Sequence, residues 1–557
     1  MLGKKRAAGL FTAAGIIATI VLGQAISAHG GVFNQVQLTH DVIADYLPQT
    51  DGSRVVWQGR GGAGGTREIY LYNGSTITTV TANGYEDLDA QVSGNNIIWT
   101  GKSGPAGTGE IYFYNGSTIT TLTANGFEDY FPVINGNRAA WGGQQEVYYF
   151  NGSAVTTVTT GGFGSSAPRI SGNNIVWAGK NGLGGPWEIF RYNGSATTTL
   201  TATGGNYDPQ INGNNIVWRA KSGPGGTSEI YFDNGSTIAA ITANGFDDLA
   251  PQISGNKLAW EGWDGPGATA EIYFYDGSTT TKVTNNGYDD LSPQISGNNV
   301  VWEGHSGPGN TGEIFLYNGG SVIQLTNNAY NDLFPQISGN KIVWQGFDGT
   351  SDEIFSADID DIGPSGAVSI NGGSSATKST VITLNLLASD TGGSGLTGMS
   401  FRDDSGAWSA WEPYTLAKVR ILPSGNGAKK VWVKFRDGAA NESMPIAATI
   451  VLDTKNPTTS LKTPRRLSST AKAIKIKVKW AATDASPSSG VASYDVQYRL
   501  GRGQWKNWKT GTSKKSAYFK GRTGKTYWFR ARSRDAAGNE GAWSKNKRTL
   551  LILISAA

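Results

Sequence analysis

No cysteine occurs in the 557 residues. The chain therefore has no disulfide to staple it, no thiolate nucleophile and no cysteine-ligated metal. Histidine is almost missing too, with only His29, His40 and His305. No G-x-S-x-G, H-E-x-x-H or phosphate-cradling glycine loop is present, which leaves a hydrolase or lyase reading weak and removes the common nucleotide-binding classes. Beyond the first 28 residues no apolar run is long enough to cross a bilayer. Basic residues are scarce over a long stretch: residues 29–363 hold 13 Lys/Arg against 32 Asp/Glu, a net of −19. Residues 364–456 carry a net of +2, and residues 457–557 hold 22 basic against 4 acidic groups, a net of +18. An acidic body thus carries a basic tail, and the two ends suit different partners or each other.

The first 28 residues read as a secretory signal. Lys4, Lys5 and Arg6 precede the apolar stretch Ala7 to Gly23, and small residues follow at Ala25, Ser27 and Ala28. Cleavage after Ala28 and a secreted, extracellular or cell-envelope location are expected; a retained anchor is the alternative. The C-terminal run Leu550 to Ile554 is too short to span and reads as a final strand.

What is abundant is repetition. A unit of about 42 residues recurs eight times, reading D-x-x-P-Q-I-S-G-N-N-I-V-W-x-G, a glycine-rich stretch, then E-I-Y-F-Y-N-G-S-T-x-T-x-L-T. Its tryptophan falls at Trp57, Trp99, Trp141, Trp177, Trp218, Trp260, Trp302 and Trp344. Its glutamate falls at Glu68, Glu110, Glu146, Glu188, Glu229, Glu271, Glu313 and Glu353. Each unit offers four short strands parted by turn residues, and the second and third are apolar at nearly every position, as strands covered on both faces require. The eighth unit runs out before its fourth strand, and Val36-Gln37-Leu38-Thr39 reads as the missing piece. The expected fold is all-β: an eight-bladed β-propeller over residues 29–362, closed by this N-terminal strand, which would remove two open edges.

The E-I-Y-F-Y-N-G and terminal L-T pieces, spaced as they are, resemble the propeller repeats of the TolB-like family over residues 36–358. Two departures stand out. The S-P-D-G turn usual in that family is S-G-N-N or N-G-N-N here, and the α/β domain that precedes the propeller in TolB is missing, so its envelope role does not carry over.

Residues 363–456 and 457–557 are two further stretches of alternating strands that also resemble each other. Asp390 before Ser394-Gly395 matches Asp484 before Ser489-Gly490, and Trp408 and Trp411 match Trp505 and Trp508. The first resembles a bacterial immunoglobulin-like module. The second resembles a fibronectin type III module, with Tyr527 at the tyrosine-corner position and Trp480 on a core strand. The resemblance implies β-sandwiches used as spacers or adhesive units.

Candidate sites follow from exposure and chemistry. Loops joining second and third strands lie on one rim and carry Lys102, Trp187, Lys221, Trp263, His305 and Phe347, side chains suited to a glycan or protein ligand. Asp87, Asp129, Asp248, Asp290 and Asp332 recur before the inner strand; clustered carboxylates suit Ca²⁺, while capping of a turn is the alternative role. No other cofactor is expected. The recurring glutamate reads as a structural acceptor. Asn-Gly-Ser triplets read as hairpin turns rather than glycosylation sites. Lys475, Lys477 and Lys479 mark one sheet face suited to an anionic surface polymer. The functional expectation is a non-enzymatic envelope protein binding a glycan or protein ligand. The alternatives are a carbohydrate-active lyase or hydrolase on the acidic rim, and a structural surface component.

Overall fold

Turn chemistry cuts each repeat into strands. In the first, the Asn73 side-chain oxygen accepts the Ser75 and Thr76 amides, each at 3.0 Å, while Gly74 takes the left-handed conformation at φ 99°. The computed structural model describes residues 35–550 except 104–106, 160–167, 183, 264–267, 308 and 470–472. The expected signal at 1–28 and residues 551–554 of the expected final strand lie outside the described residues.

The chain is all-β and divides into two units, Met1–Ile359 and Asp360–Ala557. The second unit thus begins at Asp360, slightly before the boundary expected after residue 362. In the first unit each of the first seven repeats forms a four-stranded antiparallel sheet in strand order, for example Asp290–Ser296, Asn299–Gly304, Glu313–Tyr317 and Val322–Gln324. Apolar clusters sit between consecutive sheets: Ala259, Ile272 and Phe274 of the sixth meet Val300, Trp302 and Phe315 of the seventh. An equivalent cluster joins Val55 and Trp57 of the first sheet to Val343 and Ile354 of the last, so the sheets close on themselves. Val36–Gln37 supplies the last sheet's outer strand by pairing with Phe355 and Ser356. Beyond it the Leu38 amide donates to the Ile354 carbonyl at 2.7 Å, and the Ile354 amide donates to Thr39 Oγ1 at 2.9 Å.

The recurring tryptophan is the centre of each sheet. All eight indoles are at most 2% exposed, and each lies over the ring two residues past the recurring glutamate, as in Trp99–Tyr112 at 5.7 Å and 16°. The glutamate caps the loop to the next sheet, Glu68 accepting the Asn83 amide at 3.3 Å and the Gly84 amide at 3.2 Å.

In the second unit, a three-stranded and a five-stranded sheet face each other across a core of Ile382, Leu384, Phe401, Val433, Phe435 and Ile450. Two four-stranded sheets that follow enclose Ile476, Val478, Trp480, Val496, Phe529 and Ala531. The Tyr527 hydroxyl accepts the Arg522 amide at 3.1 Å, the bond expected of a tyrosine corner. Half-buried tryptophans outside each core alternate with cations. In the first, Arg402 lies 5.0 Å from both Trp432 and Trp408, Lys434 4.8 Å from Trp411, and Arg436 4.0 Å from Trp411. In the second, Arg499, Trp505, Arg530, Trp543 and Arg532 follow one another at 4.3 to 4.9 Å.

Candidate ligand-binding channel

The first strand of every sheet lines the axis of the first unit. Gln49, Gln91, Gln210, Gln252, Gln294 and Gln336, with Val133 and Arg169 at the third and fourth sheets, enclose a cavity of ≈ 470 Å³. A second cavity of ≈ 720 Å³ shares Arg169, Gln210 and Gln252 and runs outward past Asp208, Arg219, Lys221 and Asp247.

The mouth owes its shape to a bulge. Between the recurring aspartate (Asn206 in the fifth sheet) and the glutamine (Val133 in the third) the strand register slips in seven sheets. The extra residue before the proline (before Ala90 in the second sheet) takes a left-handed conformation: Leu47, Asp89, Phe131, Asp208, Ala250, Ser292 and Phe334 have φ between 48° and 56°. Non-glycine residues hold such angles only where neighbours enforce them, and such strain gathers at functional sites. The neighbour is the preceding sheet: the Asp89 amide donates to Gln58 Oε1 at 3.0 Å, and the Ser292 amide to Glu261 Oε1 at 2.6 Å. Leu47, Asp89 and Phe131 line the axial cavity, and Phe131 is 54% exposed. The signal was in the repeat alignment: the position before P-Q varies among Leu, Phe, Asp, Ala and Ser while its surroundings stay constant.

Of the rim candidates, only Lys221 lines a described cavity. The other five sit in different sheets and contact near neighbours. Lys102 pairs with Glu128. Trp187 lies 6.1 Å from the Tyr207 ring with Lys180 at 5.5 Å. His305 Nε2 is 3.0 Å from Glu303 Oε1, and Phe347 meets Tyr330 edge-on at 5.1 Å. Trp263 is half-buried, its indole nitrogen without a partner among the described residues.

Asp87, Asp129, Asp248, Asp290 and Asp332 are buried, one per sheet. Each takes the amide of an asparagine four residues earlier at 2.7 to 3.0 Å. Asp87, Asp248, Asp290 and Asp332 also accept a bond from the recurring indole, as Trp99 Nε1 donates to Asp87 Oδ1 at 3.0 Å. Burial, with a neighbouring glutamate, pushes Asp87, Asp248 and Asp332 up to about 6; burial pushes Asp45 up to about 7. In the fifth sheet Asn206 takes the place: its oxygen accepts Trp218 Nε1 and its amide donates to Glu188 Oε2, both at 3.0 Å.

Carboxylates close enough to share an ion lie elsewhere among the described residues: Asp41, Asp45 and Glu353, then Asp360, Asp390 and Asp437, then Asp453, Asp484 and Asp535. The last two trios are built alike. Asn441 donates to Asp437 Oδ2 and the Asp360 carbonyl, and Asn539 to Asp535 Oδ2 and the Asp453 carbonyl.

On the basic sheet face, Lys475 stands opposite Lys520 and Lys477 opposite both Arg465 and Tyr518. Lys475 and Lys477 lie 4.4 and 5.6 Å from the Tyr518 ring, and Lys479 is exposed.

No family model and no curated protein matches the chain. Solved structures resemble it at low identity. The β-propeller domain of the Trilobed protease from Pyrococcus furiosus is 14% identical, with 52% of this chain and 99% of that one covered at a TM-score of 0.40. A putative TolB from Agrobacterium tumefaciens is 16% identical over 44% and 95%, at a TM-score of 0.29. Fibronectin(III)-like modules of Clostridium thermocellum CbhA are 10% identical over 33% and 94%, at a TM-score of 0.23. The first unit has the architecture of a β-propeller, on its own closed succession of four-stranded sheets. In the described residues no helix is long and apolar enough to cross a membrane.

Proposed function

We propose that this chain is an exported bacterial envelope protein that binds a glycan or protein ligand without turning it over. Its eight sheets serve as the blades of a propeller closed by the N-terminal strand, and two sandwich modules serve as spacer and anchor. One observation carries the reading: variable side chains on strained bulges, Leu47, Asp89 and Phe131, line an axial cavity whose wall is a nearly constant set of amides, while Asp208 and Ala250 on two further bulges line the adjoining cavity. A varied mouth over a fixed frame is how a scaffold acquires specificity without losing its fold. The basic face of the last module is the anchor, meeting an anionic surface polymer through Lys475, Lys477 and Lys479.

The test is to screen the full protein on glycan and peptide arrays beside Leu47→Phe, on the axial cavity, and Ala250→Phe, on the adjoining one. Phe131 and Phe334 already occupy the equivalent bulges, so the fold tolerates the change. Ligands captured by the wild type and lost by both variants support the reading. Capture that ignores both variants removes the mouth from the site, and released product turns the protein into the alternative, a carbohydrate-active enzyme.

A further inference from the structure

The amide ring is broken by one charge. Where six sheets place glutamine, the fourth places Arg169. Its Nε–H donates to Gln210 Oε1 at 3.1 Å and its Nη1–H to the Pro168 carbonyl at 3.0 Å, and Nη2 has no hydrogen-bond partner among the described residues. No carboxylate forms an ion pair with it there. Asp208 is the acid that acts on it, and Asp208 is bound 2.5 Å from Arg219 Nε. Burial pulls the Arg169 guanidinium below its ordinary range, with Asp208 only opposing the trend. A cation in this state, on the wall of a cavity, favours an incoming anion.

We infer that the axial mouth accepts a sugar bearing a single carboxylate, with Arg169 holding the carboxylate and the glutamine amides holding the ring hydroxyls. The inference rests on the glycan arm of the binding function proposed above. A primary amide both donates and accepts, which matches a hydroxyl that does both. A guanidinium fork matches a carboxylate in plane and spacing. Phe131, exposed in the same cavity, offers an apolar face to the C–H side of a sugar ring. Asp89, on the mouth, repels further negative charge. That restricts the ligand to one carboxylate at the mouth rather than a densely charged polyanion.

Two oligosaccharides serve as probes, one ending in glucuronate and the other in glucose through the same linkage. Calorimetry is run on the full protein, on Arg169→Gln, which leaves Val133 as the one position without an amide, and on Arg169→Lys, which keeps the charge without the fork. The wild type is expected to prefer the acidic probe by roughly tenfold or more, the weight of a charge-assisted hydrogen bond. R169Q loses that preference while still binding the neutral probe, and R169K falls between. Equal binding of both probes by the wild type, an R169Q variant that keeps the acidic preference, or no binding of either probe overturns the inference. Equal binding leaves the glycan-binding reading standing. Absence of any binding leaves that reading to the array comparison with the blocked bulge variants.

Discussion

The two units use tryptophan in opposite ways. In the propeller, one indole per sheet is sealed, its ring covered by a neighbouring aromatic. In the second unit, Trp408, Trp411, Trp432, Trp505 and Trp543 stay half-buried outside the cores and hold arginine and lysine between them. Both units do without disulfides. The propeller gains order from sealed joints, each dependent on its neighbours. The second unit adds a tether laid over cores already complete. A sealed joint fails when one part is removed, whereas a tether loses one link at a time.

The largest expected effect comes from opening the ring. Deleting residues 35–39 removes the closing strand and the Thr39 acceptor, and calorimetry of the full chain should show the propeller transition lowered by about 10 °C or more. The transition of the second unit should stay put. An unmoved propeller transition would mean that the last sheet stands without its borrowed strand.

Next is the contrast between indoles. Trp302→Ala should cost about 3–5 kcal/mol, as for other large-to-small changes in sealed cores. Trp432→Ala should cost about 1 kcal/mol, the scale of a partly exposed cation–π contact. Equal losses in denaturant titrations would erase the distinction between joint and tether.

A smaller effect separates the units by pH. Asp45, Asp87, Asp248 and Asp332 are raised to about 6 or 7, so the folded propeller binds protons that the unfolded chain releases. Their contribution is full below about pH 4 and is lost as pH rises through about 6 to 7. Acidifying from about pH 7.5 to about 5 should therefore raise the propeller midpoint by about 3 °C. Asp87→Asn with Asp248→Asn should flatten that rise, because Asn206 already performs the role without a charge. A midpoint that falls on acidification contradicts the assignment.

The smallest effect concerns the basic face. Like charges stand directly opposite at Lys475 and Lys520 and at Lys477 and Arg465, a pairing that disfavours the sheet slightly. Lys475→Glu with Lys479→Glu should elute from an anionic polymer at lower salt than the wild type, since contacts of exposed charges fade beyond a Debye length of about 8 Å. An unchanged elution point shows the face to be solvated only.

Much of the fold was legible because it is periodic: the eight Trp–Glu pairs and the orphan Val36 strand follow from counting. The binding cavity was less legible. The bulges arise where one sheet's side chain captures the next sheet's amide, as Gln58 captures Asp89, and such contacts cross about 30 residues of sequence. The carboxylate trios escaped for the same reason. Asp390 was visible singly, as a marker shared by the two modules, but only the fold brings it together with Asp360 and Asp437. Conversely, Trp187 and Phe347 looked like ligand platforms on loops, yet each has a neighbouring ring to lean on.

The closing strand also sets a timetable. The Ile354 amide and Thr39 are 315 positions apart. At an elongation of about 5–20 residues per second, the first segment waits at least about 15 seconds for its partner to be made. Seven sheets contain all their own strands and can settle as they appear, whereas the last borrows from the beginning. Final assembly is thus a late, long-range event, slow by the logic of contact order. Until it happens, the edge of the strand Asp352–Asp358 is open to the wrong partner, including the same N-terminal segment of another copy.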